Sequence, residues 1–117
     1  MKKSIVGALF SIMIAAPAGA TGGLICRTPD PRQIELSLVI SHTIVSSVVS
    51  ASLREGRSDV PVRVAQSWLD PSELRLDLVD PNALRHELRL RVKRYGETFD
   101  GTLWRGGKKR WVRCRES

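Results

Sequence analysis

The chain has 117 residues, nineteen Lys plus Arg against twelve Asp plus Glu, and a formal net charge of +7. That length holds one domain and one modest core. A balance this basic favours anionic partners and says nothing of fold. Two histidines, two cysteines and no Gly-rich phosphate loop between a strand and a helix leave little for nucleotide, metal or nucleophilic chemistry.

Residues 1–20 read as a signal peptide. Lys2 and Lys3 precede an apolar run from Ile5 to Ala16, and Ala18-Gly19-Ala20 has the small-x-small form of a cleavage site. The run is too short to span a bilayer, and no later stretch comes near the necessary length, so no transmembrane segment is expected after cleavage. The expected product is a periplasmic or secreted single β-domain, residues 21–117. A domain this small buries roughly 60–70% of its unfolded surface and gains from a covalent staple. Cys26 and Cys114 are the only cysteines, near the two ends of the domain, and an even pair in an exported chain reads as one disulfide. Closing so long a loop is worth about 4–5 kcal/mol in the chain-entropy treatment.

A short strand is expected around Leu24 to Arg27, followed by turn chemistry at Pro29-Asp30-Pro31. Ile34, Leu36, Leu38 and Ile40 then alternate with Glu35, Ser37 and Val39. Residues 42–55 fit two patterns. Ile44, Val45, Val48, Val49 and Leu53 match a helical face, with Ser41 as cap and Gly56 as stop. The β-branched residues and serines favour a bulged strand. Val60, Val62 and Val64 alternate around Pro61, which marks a strand start or an edge. Leu74, Leu76 and Leu78 alternate with Glu73, Arg75 and Asp77.

The strictest alternation is Leu84 to Arg94. Leu84, His86, Leu88, Leu90 and Val92 share one face, while Arg85, Glu87, Arg89, Arg91 and Lys93 share the other. On this pattern His86 is a core or barrel-interior histidine. Thr98 to Trp104 and Arg110 to Cys114 form a final pair around Gly106-Gly107, a type I′ or II′ hairpin signal. About eight strands in simple order, with cysteines on the first and last, predict an all-β fold. The expected form is a small antiparallel up-and-down barrel whose end strands are joined by the disulfide. A two-sheet sandwich stapled in the same way is the alternative.

For function, His42 beside Ser41 and Thr43 reads as a polar turn, since neighbours on a strand point to opposite sides. No catalytic residue, metal site or cofactor is expected. The expected role is non-enzymatic binding of an acidic envelope component or an acidic protein. The feature that carries it is charge: residues 21–84 hold six basic and eight acidic side chains, residues 85–117 eleven and four. Four of the five aromatics beyond residue 20 lie between 95 and 111. The candidate cationic-aromatic surface comprises Arg89, Arg91, Lys93, Tyr95, Trp104, Arg105, Lys108, Lys109 and Arg110. Against it stands a plainer assignment, in which Trp104 and Trp111 pack the interior and the charges solvate a hairpin. Nucleic acid ranks low as a ligand, because an exported chain rarely meets it.

One resemblance bears on the alternative. An N-terminal signal, a cysteine at each end, Arg94-Tyr95, and then Trp104-Arg105-Gly106 resemble in order the layout of periplasmic inhibitors of C-type lysozyme. That family carries a Ser-Gly-x-x-Tyr loop and an aromatic, Lys-Gly segment. No Ser-Gly pair precedes Tyr95 here, and the similarity covers about fifteen residues. The resemblance implies a small β-barrel that inhibits a partner enzyme through a loop around Tyr95.

Overall fold

The computed structural model describes residues 21–31, 33–42 and 46–117. The expected signal peptide lies outside them, as do Thr43 to Val45. Among the described residues nine antiparallel strands form one curled sheet: β1 (Thr21–Arg27), β2 (Ile34–His42), β3 (Ser46–Glu55), β4 (Ser58–Val60), β5 (Arg63–Asp70), β6 (Glu73–Val79), β7 (His86–Tyr95), β8 (Thr98–Arg105) and β9 (Lys108–Glu116). The spatial order is β4-β3-β2-β1-β9-β8-β7-β6-β5. Consecutive strands pair as hairpins everywhere except at β4–β5, and the first strand pairs with the last. The all-β, barrel-like architecture therefore stands. Residues 46–55 are strand rather than helix.

The staple sits on the seam. Cys26 and Cys114 occupy directly paired positions of β1 and β9 and form a disulfide, both side chains fully buried. The interior they join is almost wholly aliphatic. Leu36, Leu38, Leu74, Leu76, Leu78, Leu88, Leu90, Val92, Leu103 and Val112 all face it, and Phe99 is its one aromatic among the described residues. This is what strict alternation around a curled sheet must give, since every second residue meets the same enclosed space.

β4 and β5 are two halves of one strand bent at Pro61-Val62. β4 pairs with β3, and β5 pairs with β6. Proline has no N–H to continue a ladder, so pairing with β3 ends there and the chain crosses to the other edge. β3 and β5 lie side by side beyond this point. Among the described residues no hydrogen-bonded register joins them. Three register shifts among the described residues accompany the curl. They leave Val49 unpaired on β3, Ala65 on β5 and Glu87 on β7. Bulges bend a strand and raise its local twist, as a curled sheet requires.

The bulge at Glu87 corrects one expectation. His86 is not interior. The extra residue inverts the alternation, so His86 turns to the outer face, with Nε2 3.4 Å from Asp77 Oδ1. Leu84 drops out of the strand and is 82% exposed. The buried carboxylate of Asp80 holds that turn by accepting hydrogen bonds from the backbone N–H groups of Asn82, Leu84 and Arg85. In the last hairpin, Gly106 and Gly107 both have φ near the left-handed region (59° and 77°), as a type I′ turn demands.

The two ends of the curl differ. At the end bearing the β8–β9 turn, inward-facing charged residues close the interior. Arg105 Nη1 donates to Glu87 Oε1 at 2.8 Å, and its Nη2 reaches across to Glu55 Oε1 at 3.1 Å. Arg110 Nη1 donates to Asp30 Oδ2 at 2.8 Å. The opposite end is open.

Candidate functional site

β7, β8, β9 and β1 are adjacent, so their outward side chains form rows across the sheet. Directly paired positions set Arg89 beside Trp104 and Lys109, and Arg91 beside Thr102 and Trp111. A third row runs Lys93, Asp100, Arg113 and Arg27. Both tryptophans face outward. Trp111 is 49% exposed, and Trp104 is half-buried between its charged neighbours. The packing assignment for the two indoles is therefore wrong, because strand parity reserves the interior for Leu103 and Val112.

Apart from Trp104, the predicted site residues divide into four groups. Arg105 and Arg110 do not join the surface: they share parity with Leu103 and Val112, turn inward, and are held in the ion pairs described above. The Arg105 side chain is only 16% exposed. Arg89 and Arg91 do face outward but are partly neutralised, both pairing with Asp77 at 3.1 and 3.4 Å. Lys93, Lys108 and Lys109 are exposed and make no ion pair among the described residues. Tyr95 is 62% exposed at the tip of the β7–β8 hairpin, away from the indoles along the strand.

Three further residues, Arg27, Arg113 and Arg115, flank Trp111 on this face. Arg113 lies over the Trp111 ring, its guanidinium carbon 5.1 Å from the ring centroid. It is locked in place by two hydrogen bonds of 2.9 Å to the Asp100 carboxylate. A shallow groove of about 270 Å³ runs beside this stack, with Ile25, Arg27 and Pro29 on one wall and Trp111, Arg113 and Arg115 on the other. Arg27 is paired with Glu35 at 2.8 Å, whereas Arg115 has no carboxylate partner among the described residues. The signal for these residues was present in the sequence. Outward parity on the last strand selects 109, 111, 113 and 115, and a disulfide between first and last strands brings Arg27 alongside Arg113.

The carboxylates under this surface are held ionised. Burial works against the charge on Asp77, but hydrogen bonds from Arg89 and His86 and the positive field of Arg91 outweigh it, and its pKa lies below the usual value. The hydrogen bond from Arg113 does the same for Asp100, and Asp100 in turn raises the pKa of Arg113. The face is thus a lattice of fixed charges with a cationic surplus, and its aromatic centre has one side available to a ligand.

No family model, no curated protein and no solved structure matches the chain. The resemblance to lysozyme inhibitors rests on the layout of signal and terminal cysteines and on the residues around Tyr95 and Trp104.

Proposed function

We propose that this protein is a non-enzymatic binding protein of the cell envelope, acting in an oxidising compartment outside the cytoplasm. Its outer β7–β8–β9–β1 face binds a polyanionic envelope component bearing phosphate or carboxylate groups. The observation that carries the reading is the Trp111–Arg113 stack beside a groove with Arg27 and Arg115. There a planar, pre-oriented guanidinium and an exposed indole meet Arg27, which is paired with Glu35, and Arg115, which no carboxylate neutralises among the described residues. Arginine in this setting offers bidentate geometry to an oxyanion, and Lys93, Lys108 and Lys109 add point charge around it. The disulfide and the signal-like first twenty residues support the compartment.

The test is retention on immobilised heparin and on lipopolysaccharide at near-physiological salt, with a circular-dichroism check of folding. Lys108→Glu with Lys109→Glu, and separately Arg115→Glu with Trp111→Ala, should each elute at markedly lower salt. Unchanged retention of both variants sinks the proposal. Recovery of an acidic protein from envelope extract, with no retention on either polyanion, moves the ligand to the protein class.

Tyr95 supports a second reading. Its ring projects from a tight hairpin tip, the form a loop needs to enter a partner's cleft. Inhibition of C-type lysozyme in a cell-wall clearing assay, lost on Tyr95→Ala, supports inhibitor action. Absence of inhibition at high molar excess removes it.

A further inference from the structure

We infer that the open end of the barrel is a second binding site, separate from the outer face, that takes a small amphiphile with an apolar chain and a single carboxylate head. Pro61 ends pairing with β3 and leaves the stretch from Ser46 to Ser52 without a hydrogen-bonded partner on that side. At the end away from the Arg105 and Arg110 ion pairs, between Ser46 of β3 and Leu69 of β5, lies an open-mouthed pocket of about 500 Å³. That volume lies within the range of small-molecule sites. Leu24, Ile40, Leu69, Pro71 and Phe99 line it, all apolar. Its floor is the aliphatic core, so a hydrocarbon chain entering there exchanges water for Leu and Phe surface.

The charged groups at the mouth decide which head group fits. Arg94 is the inward-parity residue of β7 at this end, paired with Phe99. Its guanidinium lies over the Phe99 ring at 5.3 Å, and its Nε donates to the Gly96 carbonyl at 3.1 Å. The side chain is therefore held at the rim, and no carboxylate pairs with its two Nη groups among the described residues. Asp70, the nearest acidic wall residue in sequence to Leu69, does not compete. Its Oδ1 accepts hydrogen bonds from Ser72 N–H, Ser72 O–H and Glu73 N–H, and its Oδ2 accepts from Trp68 Nε1. His42 is engaged with Ser46 at 3.2 Å. Asp70 and Glu116 add negative charge at the rim and oppose a dianionic phosphate head most strongly, so a monoanionic head must seat directly on the unpaired Nη groups of Arg94.

Titration calorimetry of the full protein with dodecanoate, below its micellar concentration, tests the site. One saturable equivalent is expected. Arg94→Gln should weaken it about tenfold, the size of one charge-assisted hydrogen bond. Dodecyltrimethylammonium should not bind. The Lys108→Glu, Lys109→Glu variant should bind dodecanoate as the parent does, which separates this site from the outer face. No saturable binding, equal binding by Arg94→Gln, equal binding of the cationic amphiphile, or loss in the double-lysine variant each overturns the inference. Amide shifts near Leu69 and Phe99 on dodecanoate addition provide a readout independent of affinity.

Discussion

Arg105 and Lys109 stand four residues apart in one basic segment and have opposite roles. Lys109 lies on the outer face beside Trp104, in water. Arg105 lies on the inner face, where its guanidinium joins Glu87 on β7 to Glu55 on β3, fifty residues away in sequence. The hydrogen bond from Arg105 is the main reason that the Glu87 pKa lies below its usual value. Removing one partner of a buried pair leaves the other charge desolvated and unanswered, so Arg105→Ala is expected to cost about 3 kcal/mol. Lys109→Ala should change stability by less than about 0.5 kcal/mol. Urea unfolding followed by tryptophan fluorescence distinguishes the two. The inward turn of Arg105 is legible from its parity with Leu103. Its partners are not, because neither Glu55 nor Glu87 carries any local mark of lying at the same end of the sheet.

Among the strands, β8 shows how a glycine sets curvature. Gly101 lies between Phe99 and Leu103 on the inner face, opposite Val92 and Val112. A Cβ at this position would collide with the Arg91 carbonyl oxygen and lie 2.8 Å from Val92 Cα, both backbone atoms of β7. Backbone yields less easily than a side-chain tip, so Gly101→Ala should destabilise the fold by about 3 kcal/mol or more. A lowered urea midpoint with an unchanged m-value is the expected result. The same tight curl explains what period-two reading captured and what it missed. Alternation places Leu88, Leu90 and Val92 in the core, where they lie. Leu84 and His86 continue the same pattern in the sequence, but alternation cannot register a one-residue bulge, and Glu87 is that residue. The exit of the chain at Asp80 was equally hidden, since it depends on one carboxylate gathering three backbone N–H groups. The bend at Pro61 was legible, because a missing N–H is a property of the residue itself.

At the scale of the molecule, acid is the condition to which the fold answers. In the folded protein Asp77, Glu87 and Asp100 all ionise more readily than at their ordinary values of 3.8, 4.5 and 3.8. The unfolded chain therefore binds more protons as pH falls, and stability rises with pH through this window. The contribution is complete above the unfolded values and is lost as pH drops through the lower folded ones. The melting temperature should hold level down to about pH 5 and fall steeply below about pH 4. Asp77→Asn should flatten that fall. The seam between β1 and β9 has a consequence for the order of events in folding. Every other strand pair joins neighbours in the chain, whereas this one joins residues 88 apart, so it pays the largest loop-closure entropy and is expected to form last. During synthesis β1 can pair with β2 at once, but its other edge stays bare until residues 108–116 exist. A chain halted before Cys114 keeps that edge and an unmatched thiol, a template for pairing with other unfinished chains. Closure of the β1–β9 seam, more than the speed of any single hairpin, is expected to set the moment at which this molecule ceases to be adhesive to its own copies.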